Sequence, residues 1–189
     1  MLPGARVNAV GKGGRLYAVG ERVRGSAQVV ARALRAGDLW ERVRAAGGAY
    51  GATCRLAPES GRFTFASRRD PHVGATLRAY DAAARALAAG PPPARGAVER
   101  AVVGAVGDLD RPLAPEQAGF VAMRRFLVGD SLARRQRRRD EALATTAGDF
   151  AEFGERLVEM RAHAVVFGSR EALDAANAEG ADLEIAPAF

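Results

Sequence analysis

An arginine and a tyrosine stand six residues apart within WERVRAAGGAYGATCR, residues 40–55. The guanidinium of Arg44 carries five donors in fixed geometry, suited to holding a peptide carbonyl or a carboxylate. The hydroxyl of Tyr50 can donate to an oxyanion that develops while a carbonyl is hydrolysed. Gly48 leaves the backbone bare between them, so a substrate chain could approach closely. The alternative is that Arg44 is an ordinary surface arginine and Tyr50 a packed tyrosine at a helix-to-strand junction. The residues alone favour this alternative over a substrate-binding role.

Other catalytic side chains do not form a recognisable set. His72 and His163 lie far apart, neither has a carboxylate at metal-ligand spacing, and H-E-x-x-H and H-x-x-E-H are both absent. Cys54 lies within a predicted strand without a nearby histidine, which favours a buried structural thiol over a nucleophile. No G-x-S-x-G elbow occurs. We therefore expect no metal, and no cofactor of any kind, to be bound by this chain itself.

The glycine-rich stretch GKGG, residues 11–14, suggests a phosphate loop at first sight. Its spacing is not that of a Walker motif, and the residues after it are typical of a strand rather than of a helix start. We predict instead a hairpin turn between two short strands, residues 5–10 and 15–20.

A basic run, RRQRRRDEA, places five arginines in the six positions 134–139. On a helix these side chains cover a wide surface, partly balanced by Asp140 and Glu141. The functional alternative is contact with nucleic-acid phosphates, which would depend steeply on salt. No aromatic stacking platform accompanies the run, so we favour a solvated helix face and expect no nucleic-acid partner.

The remaining elements predict an α+β fold, with an antiparallel or mixed sheet covered by helices on one face. A helix should run from a cap at Ser26 to Gly47-Gly48. A hairpin should follow, with its strands on either side of the turn APESG, residues 57–61. Pro71 should open the next helix, Asp130 and Thr146 should cap two later ones, and residues 182–187 could form a last strand.

Length and composition limit the class of protein. The 189 residues suit one domain, and we treat 1–189 as a single unit. One cysteine allows no internal disulfide, and the net charge of +6 comes almost entirely from arginine. The start of the chain lacks an apolar signal region, and no window reaches about 18 uninterrupted apolar residues. We expect a soluble intracellular protein without a membrane partner.

Four stretches, taken together, favour a functional role for the Arg44–Tyr50 pair. LWERVRAAGGAYGA, GRFTFASRRDP, VVGAVGDLDRPLAPEQAGF and RRQRRRDEALATTAGDF occur in one order at one spacing. This pattern, from about Asn8 to Ala178, resembles the last domain of the presequence protease family, large zinc peptidases of the pitrilysin (inverzincin) clan. Arg68 is a departure, because such proteins typically carry a tyrosine before Arg-Asp-Pro.

The resemblance implies a C-terminal, metallohydrolase-like domain of a four-domain zinc endopeptidase that degrades unstructured peptides. The zinc ligands, in H-x-x-E-H, would lie on a first domain absent from this chain. Arg44 would hold a substrate main-chain carbonyl, Tyr50 would help stabilise the tetrahedral intermediate, and Gly48 would give the substrate room. The chain alone would then be inactive.

The resemblance also implies a partner, the zinc-bearing N-terminal half, joined in one polypeptide or as a separate subunit. We favour a C-terminal fragment of a longer protease. A basic nucleic-acid-binding module and a non-catalytic partner subunit stay as alternatives. The compartment is open between a bacterial cytoplasm and an organelle, either the mitochondrial matrix or a plastid.

Overall fold

A computed structural model describes residues 7–187. Within this range the chain forms four strands, seven α-helices and one π-helix. The strands are β1 Asn8–Arg15, β2 Gly51–Ala57, β3 Arg62–Asp70 and β4 Ala162–Phe167. The helices are α1 Gly25–Ala36, the π-helix Trp40–Ala45, α2 Gly74–Ala89, α3 Arg95–Leu109, α4 Pro115–Leu127, α5 Leu132–Leu143, α6 Ala147–Glu159 and α7 Arg170–Ala178.

The strands form one antiparallel sheet in the order β2-β3-β1-β4. Residues alternate across it, so that one face is buried beneath helices and the other is left open. Phe63 and Phe65 on the buried face pack edge-to-face at 4.8 Å between ring centroids, and Tyr80 of α2 stacks on Phe65 at the same distance. Phe153 of α6 meets Phe63 edge-on at 5.7 Å. The predicted α+β architecture, with helices on one face, is confirmed.

The predicted hairpin at GKGG is wrong, because residues 11–14 lie inside the continuous strand β1. A Cβ at Gly13 would lie 2.5 Å from the carbonyl oxygen of Phe63, and one at Gly14 would lie 2.3 Å from that of Arg161. These glycines therefore serve close approach of neighbouring backbones rather than a turn. The part of the predicted first strand before residue 7 lies outside the described residues.

Further local predictions are also wrong. Ser26 does not cap α1 and Pro71 does not open α2, because these helices begin at Gly25 and Gly74. Ser131, not Asp130, caps α5, with its hydroxyl accepting from the Arg134 N–H at 3.3 Å. No strand forms over residues 182–187. The backbone of Leu183 instead makes both of its hydrogen bonds, at 2.7 and 2.8 Å, to the side-chain amide of Asn177 in α7. This amide satisfies the groups that a sheet neighbour would otherwise have paired.

The cap predicted at Thr146 is confirmed, and Asp149 completes it as a capping box at the start of α6. The Thr146 N–H and hydroxyl both donate to the carboxylate of Asp149 at 2.8 Å. Burial opposes ionisation of this carboxyl, but the hydrogen bonds, led by that from the Thr146 backbone, lower its pKa overall. A carboxyl whose pKa is lower in the folded state stabilises the fold above the unfolded value of about 4 and loses that contribution as the pH falls through the folded value.

Asp149→Ala should therefore lower the free energy of unfolding by about 1 kcal/mol at pH 7. The difference from the wild type should shrink as the pH falls below about 4 and through the lowered folded pKa of Asp149. Urea denaturation of both proteins at pH 7, 5 and 3 measures this. A difference that stays constant over that range would mean that the ionised form of Asp149 does not carry the stabilisation.

Candidate functional site

The segment between the π-helix and β2 presents the two predicted site residues. The Ala46 N–H donates to the carbonyl of Glu41 at 2.8 Å, which is the wide repeat of a π-helix. The chain then leaves through Gly48, whose φ of +75° favours glycine. The Gly48 and Ala49 N–H groups donate back into the last turn, to the carbonyls of Arg44 and Val43. The predicted end at Gly47-Gly48 is confirmed, but the single helix predicted before it is divided, because α1 ends at Ala36 and the π-helix begins at Trp40.

Buried residues anchor this segment on both sides of the glycine exit. Val43 is 1% exposed and Ala49 is 3% exposed, so each fixes the backbone next to a candidate side chain. Arg44 follows Val43 and faces solvent. Tyr50 follows Ala49 and is 55% exposed. The interpretation of Tyr50 as a packed tyrosine is therefore wrong, and its ring is accessible to another molecule.

Arg44 rests on an aromatic ring one helical turn before it. Its guanidinium carbon lies 3.9 Å from the centroid of the half-exposed Trp40 ring. A cation–π contact of this kind contributes about 0.5–1 kcal/mol at an exposed site. Arg44 has no carboxylate within ion-pair distance among residues 7–187. The guanidinium is thus partly ordered while its donors stay free for a carbonyl or carboxylate.

Tyr50 has different neighbours. The guanidinium carbons of Arg68 and Arg69 lie 5.2 and 5.1 Å from its ring centroid. Its backbone N–H donates to the Arg69 carbonyl at 3.3 Å. Arg68 pairs with Gly51 across β2 and β3, and a Cβ on Gly51 would lie 3.0 Å from the Arg68 Nε. We call Tyr50, Arg68 and Arg69 the tyrosine surface. Arg44 and Tyr50 therefore make their ring–guanidinium contacts with different partners.

A buried carboxylate lies directly after the tyrosine surface. Asp70 is fully buried and accepts from the Ser67 hydroxyl at 2.5 Å, the Thr76 hydroxyl at 2.8 Å and the His72 N–H at 2.9 Å. Its carbonyl accepts from the Asn8 side-chain amide at 2.9 Å. The sequence patterns did not reveal this network, although Ser67 alternates with Phe63 and Phe65 and so shares their face of β3. A hydroxyl there required a partner.

The other candidate residues do not assemble a second site. Burial raises the pKa of the Cys54 thiol to about 12, and its Sγ–H donates to the Ala31 carbonyl at 3.2 Å. The thiol is protonated at neutral pH, so the structural interpretation of Cys54 is confirmed. His72 precedes α2 and does not lie in its first turn. No three His, Cys, Asp or Glu residues between positions 7 and 187 are grouped so that they could hold a metal ion.

The basic helix α5 is partly neutralised within the chain. Arg138 donates to both oxygens of Asp130 at 2.8 and 2.9 Å, and Arg139 pairs with Asp110. The two carboxylates predicted to balance the run have other partners. Asp140 accepts from Gln136 at 2.8 Å. Glu141 accepts from the Gly25 N–H at 2.8 Å and from Arg22. The prediction of a solvated helix face whose charge is partly balanced within the chain is thus supported. The balancing carboxylates are Asp130 and Asp110 rather than the predicted Asp140 and Glu141.

Hydropathy adds one negative observation. None of the helices within residues 7–187 combines the length and the apolar character that crossing a bilayer requires.

Sequence comparison connects the chain with one family. Residues 1–167 match the family model described as the PreP C-terminal domain. The chain is 38% identical over 176 residues to presequence protease 1, chloroplastic/mitochondrial, from Arabidopsis thaliana. That alignment covers 92% of this chain and 16% of the relative, so the chain spans about one sixth of the length of that relative.

Structural comparison supports the fold. A proposed zinc protease from Bordetella pertussis Tohama I superposes with a TM-score of 0.69 at 16% identity, covering 88% of this chain and 95% of the other. A peptidase M16 inactive domain from Pseudomonas fluorescens gives a TM-score of 0.64 at 14% identity, covering 87% and 41%. The α+β arrangement is thus shared with domains of M16 peptidases.

Proposed function

The chain belongs to the PreP C-terminal domain family, and from this premise we propose that it is the C-terminal domain of a larger zinc endopeptidase that degrades unstructured peptides. Its span of 16% of the Arabidopsis relative supports a role as one part of a longer assembly. The single observation that carries the proposal is the exposed Tyr50 ring beside a fixed glycine exit, with Arg44 at the end of the preceding helix.

In this proposal the chain supplies substrate contacts. Arg44, held against Trp40 and without a carboxylate partner among the described residues, donates to a main-chain carbonyl of the bound peptide. The Tyr50 hydroxyl donates to the oxygen of the scissile carbonyl as negative charge develops on it. Gly48 leaves room for the peptide backbone. Only an extended, unfolded chain offers carbonyl groups that are free to accept these bonds.

Zinc would belong to another domain. The described residues offer no cluster of His, Cys, Asp or Glu that fits a zinc site, so the chain would not bind the metal itself. The partner would be the zinc-bearing N-terminal half, in the same polypeptide or as a second subunit. A hydrogen-bond donor has no developing charge to stabilise without the group that starts the reaction, so we expect the isolated 189 residues to be inactive.

An exposed apolar helix also favours membership of a larger assembly. α4 has no buried residue, although the sequence places Phe120, Met123 and Leu127 on one stripe. These three side chains are exposed, and Phe126 beside them is exposed as well. A contiguous apolar surface of this kind is typical of a face that another domain covers.

The test is peptide cleavage by the complete protease, in which this chain is assembled with its zinc-bearing remainder. Tyr50→Phe removes one oxyanion donor and should lower turnover of a short unstructured peptide about 10²-fold. Arg44→Ala should lower kcat/KM about 10-fold, mainly through weaker binding. Arg42→Ala is a matched control on the same helix, because Arg42 pairs with Asp38 at 2.7 Å. The assigned roles are wrong if Arg44→Ala leaves kcat/KM, and Tyr50→Phe leaves turnover, at the wild-type level.

A further inference from the structure

A β-bulge shapes the tyrosine surface. Asn8 pairs with Asp70 and Ala9 pairs with Arg68, so Arg69 is an extra residue of β3 with no counterpart on β1. Arg69 has a φ of +46°, which is uncommon for a residue with a side chain. In a regular strand Arg68 and Arg69 would point to opposite faces. The bulge instead leaves both exposed, with both guanidinium groups within 5.2 Å of the Tyr50 ring centroid.

Neither guanidinium is neutralised within the described part of the chain. Arg68 and Arg69 have no ion pair and no side-chain hydrogen bond to residues 7–187. Comparable exposed arginines on helices do pair, as Arg78 does with Glu179 at 2.8 Å and Arg170 with Asp174 at 2.9 Å. Two adjacent free guanidinium groups are therefore available beside one accessible phenol.

The open face of the sheet contains no competing carboxylate. The register places Arg68 on this face together with Arg15, Arg55 and Arg62. The other positions of the open face carry no carboxylate either: Ala9, Gly11, Gly13, Gly51, Thr53, Ala57, Thr64, Ala66, His163, Val165 and Phe167. An acidic ligand would therefore meet no negatively charged side chain on this face of strands β1–β4.

We infer that Arg68 and Arg69 form a carboxylate-binding subsite beside Tyr50, which selects peptides with an acidic side chain close to the scissile bond. A guanidinium binds a carboxylate through two parallel charge-assisted hydrogen bonds, and a second guanidinium strengthens the attraction. Since one extended residue spans about 3.5 Å, groups about 5 Å from the ring reach a side chain within about two residues of the bond at Tyr50. The effect of the subsite on cleavage rests on the proposed function, whereas the binding of a carboxylate by Arg68 and Arg69 does not.

The experiment uses the complete protease and matched peptides. Each pair carries either Glu or Gln at one position within two residues of the cleaved bond, and every peptide has an amidated C-terminus. We expect kcat/KM to favour the Glu peptide about 10-fold at one of these positions, and less at high salt. The double variant R68Q/R69Q should bring the ratio near 1, because it lowers kcat/KM for the Glu peptide more than for the Gln peptide. R62Q, at the far end of β3, should leave the ratio unchanged.

Two further arms separate the possible outcomes. A preference that appears only when the C-terminus is a free carboxylate would overturn selection by a side chain. Equilibrium binding of the same peptides to the Tyr50→Phe protease tests the subsite without relying on turnover. A Glu preference in binding that R68Q/R69Q removes supports the subsite even if the catalytic role of Tyr50 fails. A wild-type ratio near 1 at every position overturns the subsite while leaving the proposed function intact.

Discussion

Replacing Asp70 by alanine is expected to lower the free energy of unfolding by about 4 kcal/mol. The carboxylate is fully buried and accepts from Ser67, Thr76 and His72. Hydrogen bonds to a charged group are worth about 1.5–3 kcal/mol each. Their loss leaves the buried hydroxyls of Ser67 and Thr76 and the part-buried His72 N–H without this acceptor. The change also opens a cavity at the junction of β3 and α2.

Chemical denaturation at pH 7 measures this effect. Asp174→Ala is the control, because its ion pair with Arg170 is solvent-exposed and should change the stability by less than about 1 kcal/mol. The loss of these hydrogen bonds should also disturb the tyrosine surface, since Arg68 and Arg69 lie immediately before Asp70. A decrease of less than about 1 kcal/mol in Asp70→Ala would show that water replaces the carboxylate and that the network does not hold this corner.

Gly154→Ala is expected to have the second-largest effect, a loss of about 3 kcal/mol. Gly154 lies where α6 crosses α2, and an added Cβ would lie 2.3 Å from the Ala88 nitrogen and 2.5 Å from the Leu87 carbonyl carbon. The three nearest atoms are all backbone, so the two helices must separate to admit a methyl group. Overpacking of this kind costs about 1–3 kcal/mol, and separating a helix pair falls at the upper end.

A second glycine provides the comparison for Gly154. Gly107 lies in α3, and an added Cβ there would have nothing within 4 Å, so alanine meets open space. Gly107→Ala should be neutral or stabilising by up to about 1 kcal/mol, because alanine is the better helix former. Thermal and urea denaturation of both variants separate crowding from helix propensity. Equal effects of the two substitutions would contradict the close approach of α2 and α6.

Local sequence patterns predicted those elements that are determined by residues close together in the sequence. The hairpin of β2 and β3 follows from alternating residues on either side of a turn, and this alternation places Phe63 and Phe65 together on the buried face. The helix end at Gly48 and the capping box of Thr146 and Asp149 each depend on residues within one turn. In these cases the groups that satisfy the backbone are neighbours in sequence, so the sequence alone contains enough information.

Features that depend on distant neighbours could not be predicted. The glycines of β1 suggested a turn because glycine commonly serves turns, but their reason is the approach of carbonyls from β3 and from Arg161. The bulge at Arg69 is defined only by pairing with β1, which lies far earlier in the chain. The acceptors for Arg138 and Arg139 likewise come from residues outside the basic run. Such partners become visible only in three dimensions.

For the candidate site, the sequence identified the residues but not their surroundings. Arg44 and Tyr50 were selected for their chemistry, and their roles stay predictions. Their ring and guanidinium neighbours could not be anticipated, because the contacts of Trp40 depend on the π-helix and those of Arg68 and Arg69 depend on the bulge in β3. The alternation in this segment groups Tyr50 with Cys54 and Leu56, which are buried, but Tyr50 lies just before β2 and is exposed.

Because of the π-helix, the direction of the Arg44 side chain depends on the number of residues in the segment Trp40–Ala45. Each residue of a regular helix turns the chain by about 100°, and the wide turn at Trp40–Ala45 accommodates one residue more than an α-helical turn would. Deleting a single residue there would let the turn tighten while Val43 or its replacement kept its anchor in the interior. A different side chain would then occupy the direction now taken by the guanidinium. Insertions and deletions, more than substitutions, are thus the changes that would redirect this part of the surface.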